Sequence, residues 1–151
     1  MFAIQLQPPS CRGGDGERLG RITVGNFTEI FACYPPPRGQ SVRSMAAQWR
    51  AQLRRLIAGE QPAVALITGT AAWIVYRVGE RCYIQQRYFI TASSRVIGPR
   101  RTHDEDGQRI SEWNTPIDDI TRFIRRRSIT SSSEPGHRAP ARIKASRRPN
   151  R

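Results

Sequence analysis

The chain has 151 residues, enough for one domain around one core and too few for two comfortable ones. Hydrophobic residues make up 38%, and no run approaches the roughly 18–20 apolar residues that a membrane-spanning helix needs. The formal charge of +13 invites a nucleic-acid reading, but nine Lys or Arg against the single acid Glu134 put +8 of it between Arg125 and Arg151. That segment has no obvious core residues, so more than half of the excess charge belongs to a tail.

Residues 1–20 begin MFAIQLQPPS, with no charged stretch leading into an apolar run, and so carry no secretory signal. Pro8-Pro9 and Gly13-Gly14-Asp15-Gly16 break regular structure, and the whole of 1–20 reads as a flexible leader. Arg21 to about Tyr34 is an extended stretch rich in β-branched and aromatic residues, with Gly25-Asn26 marking a bend or bulge, and Pro35-Pro36-Pro37 ends it. Residues 41–58 predict a helix. Met45, Trp49, Leu53, Leu56 and Ile57 recur at intervals of three and four, Ser41 can cap the start, and Gly59 follows the end. Ala63 to Thr68 is a short apolar run of strand length, and its lack of alternation predicts burial on both faces. The β-rich runs 72–77 and 81–89, joined through Val78-Gly79-Glu80, predict a hairpin. Residues 96–108 form a polar loop, and Arg109–Trp113 is a short strand candidate. Thr115-Pro116-Ile117-Asp118-Asp119 then opens a second helix over 116–126, with Thr as cap, Pro in the first position and two acids at the positive end. Residues 127–151 are too polar to offset ordering entropy and read as a disordered Arg-rich tail. These elements imply an α+β single domain over 21–126, an antiparallel sheet on the 72–89 hairpin packed against both helices.

Chemistry is harder to find. His137 lies in the tail, and His103, beside Asp104 and Glu105 in a loop, is a general base in principle but reads as a solvated surface residue. Cys11, Cys33 and Cys82 have neither metal-ligand spacing nor the even count of a disulfide framework, which suits a reducing cytoplasm. No phosphate loop, nucleophile elbow or metalloprotease motif occurs. The residues therefore predict a protein that is not an enzyme and takes no cofactor or metal. One anomaly stands out. Between Asp104 and Asp119 lie six acids (Asp104, Glu105, Asp106, Glu112, Asp118, Asp119) against one base, Arg109. Turn chemistry and helix-dipole complement explain these acids structurally; a surface that docks a basic partner explains them functionally.

Several short motifs, taken in order, carry a family likeness: Gln48-Trp49, Ala65-Leu66-Ile67-Thr68, Tyr76-Arg77-Val78-Gly79 with Cys82-Tyr83-Ile84-Gln85-Gln86, then Gly107 with Ile110-Ser111-Glu112-Trp113, and a closing Ile117 to Phe123. This set, spanning about residues 21–124, resembles the CdiI-like immunity proteins of contact-dependent growth inhibition. The sequence departs from that pattern where Gln86 replaces an Asn, Met45 stands where Tyr is common, and Tyr34-Pro35-Pro36-Pro37 replaces an aromatic-rich approach. The resemblance implies a cytoplasmic bacterial protein that binds and neutralises the C-terminal toxin domain of a CdiA-type protein by contact alone. The partner-binding candidates are then Asp104, Glu105, Asp106, Glu112, Asp118 and Asp119, while Trp113 reads as a structural anchor. The alternative is a basic protein that binds nucleic acid non-specifically through the tail.

Overall fold

The computed structural model describes residues 1–7, 18–33, 42–69, 71–88 and 97–126. The expected disordered tail, 127–151, lies outside the described residues, as does the central part of the expected leader.

Among the described residues, two antiparallel sheets and two helices share one core. The first sheet has the order β1-β2-β3, with β1 at Phe2–Leu6, β2 at Arg18–Val24 and β3 at Phe27–Cys33. Helix α1, Val42–Ile57, leads into the second sheet, ordered β4-β5-β6-β7: Ala63–Ile67, Ala71–Val78, Arg81–Tyr88 and Trp113–Pro116. Helix α2, Ile117–Arg125, closes the described chain. The α+β reading, the 72–89 hairpin and both helices are therefore present, within a residue or so of their expected limits.

The first sheet corrects the reading of residues 1–34 twice. Phe2–Leu6, placed in a flexible leader, is a strand paired along its length with β2, from Phe2↔Val24 to Leu6↔Gly20. Phe2 and Ile4 alternate with more exposed neighbours and are buried in the core, which rewards ordering the strand. Residues 21–34, read as one extended stretch, reverse at Gly25-Asn26 into a hairpin whose closing pair is Val24↔Phe27. Gly25 takes φ 61°, the left-handed conformation that a two-residue hairpin turn demands and glycine adopts without strain. Gly20 has a different reason to be glycine. It pairs with Phe31 across the sheet, and a Cβ there would collide with the Phe31 ring.

The core brings the inner faces of both sheets onto the apolar stripe of α1. Phe31 and Ile22 from the first sheet, Trp49, Leu53 and Leu56 from α1, Val64, Leu66, Trp73, Val75 and Ile84 from the second, and Ile120 from α2 are all buried there. Aromatic rings link the layers: Phe31 lies 5.9 Å from Trp73, Trp73 lies 5.9 Å from Trp113, and Trp113 stacks on Phe27 at 3.9 Å. Trp113 is thus a structural anchor, though it joins the two sheets as well as preceding α2. The run 63–68, expected to be buried on both faces, alternates: Val64 and Leu66 enter this core, while Ala63, Ala65 and Ile67 pack with Ala72, Ile74 and Tyr76 on the other side of the sheet. It alternates because the pleat turns successive residues to opposite faces, and the inner face of this sheet meets α1 and the first sheet.

Long side chains tie the helix ends. The Trp49 indole donates to the Ile67 carbonyl at 2.8 Å, fastening α1 to the edge of β4. Arg77 reaches from β5 to the last carbonyls of α1, donating to Leu56 and Ile57 at 3.3 and 2.6 Å. Arg50 of α1 donates to the carbonyls of Phe123, Ile124 and Arg126 while its guanidinium sits 4.5 Å from the Phe123 ring centre. A cation is favoured there by the negative end of α2 and its unsatisfied carbonyls. The start of α2 differs from expectation as well. Pro116 is the cap residue and no side chain caps the helix. The Thr115 hydroxyl donates instead to the Asp119 carboxylate at 2.7 Å, one turn into the helix.

Candidate acidic docking site

The stretch read as a polar loop is an antiparallel finger. The Ile110 N–H donates to the Thr102 carbonyl and the Asp104 N–H to the Gln108 carbonyl, both at 2.9 Å, and His103 bridges to Arg109 between them. The finger turns at its tip through Gly107, whose φ of 76° suits glycine. Asp104 holds the turn: one carboxylate oxygen accepts the N–H groups of Asp106 and Gln108 at 3.0 and 2.8 Å. Asp104, Glu105 and Asp106 are all exposed. The pair between Arg101 and Glu105, at 4.0 Å on the surface, neutralises little of that charge. A polar hairpin of this kind carries no hydrophobic period to reveal it, and its only sequence signal was the Asp-Gly near the tip.

Glu112, at the base of the finger, is placed differently. Arg100 donates to it with two nitrogens at 2.7 and 2.5 Å, and the Gln85 amide donates to the same carboxylate at 2.8 Å. The Arg100 guanidinium bonds hold the Glu112 carboxyl below the ordinary carboxylate range, and they outweigh the opposing effect of burial. Gln85 itself is fully buried on the outer face of the second sheet and was not among the expected functional residues. A buried Gln in a strand is the signal that could have singled it out, because such an amide must find partners.

The last two acids share the first turn of α2. Asp118 is exposed, whereas Asp119 is 9% exposed and engaged on both oxygens. Its carboxylate accepts from the Met1 ammonium at 2.7 Å, the Thr115 hydroxyl at 2.7 Å and Arg122 at 2.6 Å. The structure thus gathers Asp104, Glu105 and Asp106 at one tip with Glu112 at its base, and it sets Asp118 and Asp119 on a separate element.

The Met1 ammonium, with the Thr115 hydroxyl, lowers the Asp119 pKa below that of a free aspartate. A depressed folded-state pKa contributes stability that is fully present above the unfolded value of about 3.9 and is lost as pH falls through the folded value. Asp119→Asn is therefore expected to lower the melting temperature at neutral pH and to flatten its decline in acid. Thermal melts of both proteins from pH 7 downward check this; parallel curves would contradict it.

His103 and Cys82, the other candidates for chemistry among the described residues, sit on different elements. His103 is exposed and its ring nitrogen meets the Thr102 hydroxyl at 3.0 Å. Cys82 is buried in β6, where burial pushes its thiol up to about 11, far from a reactive thiolate. Among the described residues no group of three His, Cys, Asp or Glu side chains is placed to hold a metal ion, and no helix is long and apolar enough to cross a membrane.

Comparison with known proteins places the chain. The family model of the CdiI N-terminal domain matches residues 40–123, from just before α1 almost to the end of α2. Among solved structures, a chain of the CdiA-CT/CdiI toxin and immunity complex from Enterobacter cloacae matches with a TM-score of 0.68 and 22% identity, covering 82% of this chain and 96% of that one. The two share a fold. No curated protein sequence matches.

Proposed function

The chain belongs to the CdiI N-terminal domain family, and from that membership we propose that it is an immunity protein which binds the C-terminal toxin domain of a CdiA-type protein and neutralises it. The family match over more than half of the chain is the observation that carries the reading. The solved complex of a toxin and its immunity protein on the same fold supports it. The task is one of recognition. It needs a rigid surface and no reacting groups, and it is carried out in the cytoplasm of the cell under protection.

The docking surface in this reading is the exposed acid set: Asp104, Glu105 and Asp106 on the finger and Asp118 on α2. Glu112 and Asp119, engaged within the chain, serve it by holding the finger base and the start of α2. Negative charge at the end of a projecting hairpin suits a basic cleft, since complementary potential speeds encounter and rejects wrong partners. The chain as a whole is basic, so this local reversal of sign gives the surface a direction.

The test is protection. Bacteria induced to make the C-terminal domain of the CdiA protein encoded in the same genome are expected to stop growing, and to keep growing when this chain is co-produced. Growth arrest despite abundant folded chain would overturn the reading.

A further inference from the structure

The finger has its own register, and side chains outside its tip fix that register to the sheet. Thr102 pairs with Ile110 and Asp104 with Gln108, and the same antiparallel order continued outward sets Arg100 opposite Glu112. There the two arms are joined by a two-pronged ion pair, at 2.7 and 2.5 Å. One residue of the sheet grips both arms at once. The Gln85 amide nitrogen donates to the Arg101 carbonyl at 2.7 Å on the first arm and to Glu112 at 2.8 Å on the second. The Arg100 guanidinium also lies 3.9 Å from the ring centre of Tyr83, which shares the outer face of β6 with Gln85. Among the described residues the tip has only its own local bonds. The charge therefore sits at one end of the finger and its anchorage at the other.

We infer that Gln85, Arg100 and Glu112 are positioning residues for toxin binding: they hold the finger in one orientation, so that its acidic tip meets the partner already formed. This rests on the docking role proposed above for the tip. A finger released from the sheet samples many orientations, and a partner that needs one of them must then supply the ordering, which lowers affinity without removing a single intermolecular contact. Gln85 is the most exposed to this logic, because one nitrogen serves both arms and a side chain of the same size without donors frees both. Arg100 is the second lever. Lysine keeps its charge but cannot reproduce the planar fork on Glu112 or the stacking on Tyr83.

The experiment titrates the full chain against the C-terminal domain of the CdiA protein encoded in the same genome, by calorimetry, alongside amide exchange of the free chain. Gln85→Met is expected to weaken binding about tenfold, with the loss in the entropy of binding. Exchange at Asp104, Gln108 and Ile110 should speed up while that of Val75 and Ile84 in the core strands stays as it is. Arg100→Lys should fall between Gln85→Met and the native chain. The tip variant Glu105→Gln/Asp106→Asn separates the two levels of the argument. If it binds as the native chain does, the docking reading fails and this inference fails with it. If it binds weakly while Gln85→Met and Arg100→Lys bind normally, the docking reading stands and the positioning role is overturned. Weaker binding accompanied by faster exchange throughout the core strands would overturn it too, because the loss would then be one of general stability.

Discussion

Trp73→Ala is expected to cost about 3–5 kcal/mol of folding free energy, the range for removing a large aromatic from a close-packed core. Trp73 is 1% exposed, and its ring stands 5.9 Å from both Phe31 of β3 and Trp113 of β7. Phe31 in turn faces Trp49 of α1 at 6.4 Å. The residue therefore joins both sheets, and through Phe31 it touches the packing of the helix. Deleting the indole leaves a void that no single layer can collapse into, which places the effect toward the upper part of the range. Since domains of this size are typically stable by roughly 5–15 kcal/mol, much of the margin would go. Urea unfolding followed by fluorescence of the remaining tryptophans measures it. A loss below about 1 kcal/mol would mean that the two sheets do not share this core.

The second large effect concerns binding alone. Reversing three exposed charges, Glu105→Arg, Asp106→Arg and Asp118→Arg, is expected to slow association with the toxin domain by tenfold or more at low salt. None of the three is buried, and the Arg101–Glu105 pair they disturb is a 4.0 Å surface contact, so the two finger changes should each alter stability by no more than about 0.5 kcal/mol and the Asp118 change, at the positive end of α2, by no more than about 1 kcal/mol. Asp104 is left in place because its carboxylate holds the turn. The deficit should shrink as salt rises, since exposed charges are screened over about 8–10 Å at physiological ionic strength. Stopped-flow association at several salt concentrations checks both parts. An unchanged rate at low salt would move the docking surface away from these acids.

Much of the architecture could be read from residues alone where apolar period and local breakers agree. In α1 the spacing of Met45, Trp49, Leu53 and Leu56 fixes which face is buried, and those four are among the buried residues. The β5–β6 hairpin is marked by β-rich runs around Gly79, which takes a left-handed φ of 58° at the turn. What escaped was of another kind. β1 is five residues long, and the breakers at Pro8-Pro9 and Gly13-Gly14 that follow it hide so short a strand, although they act only on their own neighbourhood. The finger is held by backbone pairing, the Arg100–Glu112 ion pair and the Gln85 amide, none of which leaves a hydrophobic pattern. Glu112 and Asp119 show why charge alone does not locate a site. Among their partners, Arg100 and Met1 stand 12 and 118 residues away along the chain, and the fold brings them into contact.

The family likeness was scattered over short motifs, and the structure gives several of them a physical meaning. Trp49 and Ile67 meet as an indole donor and a strand carbonyl. Arg77 closes the end of α1. Gln85, from the hairpin motif, and Glu112, from the motif before β7, meet in a single hydrogen bond at the foot of the acidic finger. Motifs that look independent in sequence are halves of contacts. Some of them build the scaffold, and the Gln85–Glu112 pair fastens the proposed recognition element to it.

The most direct measurement is a mixing experiment between the purified chain and the C-terminal domain of the CdiA protein from the same genome, followed by size-exclusion chromatography with light scattering. A stable complex with one copy of each is expected, and its formation abolishes the activity of the toxin domain. Two separate peaks at micromolar concentrations, with the toxin domain still active in the mixture, would contradict it.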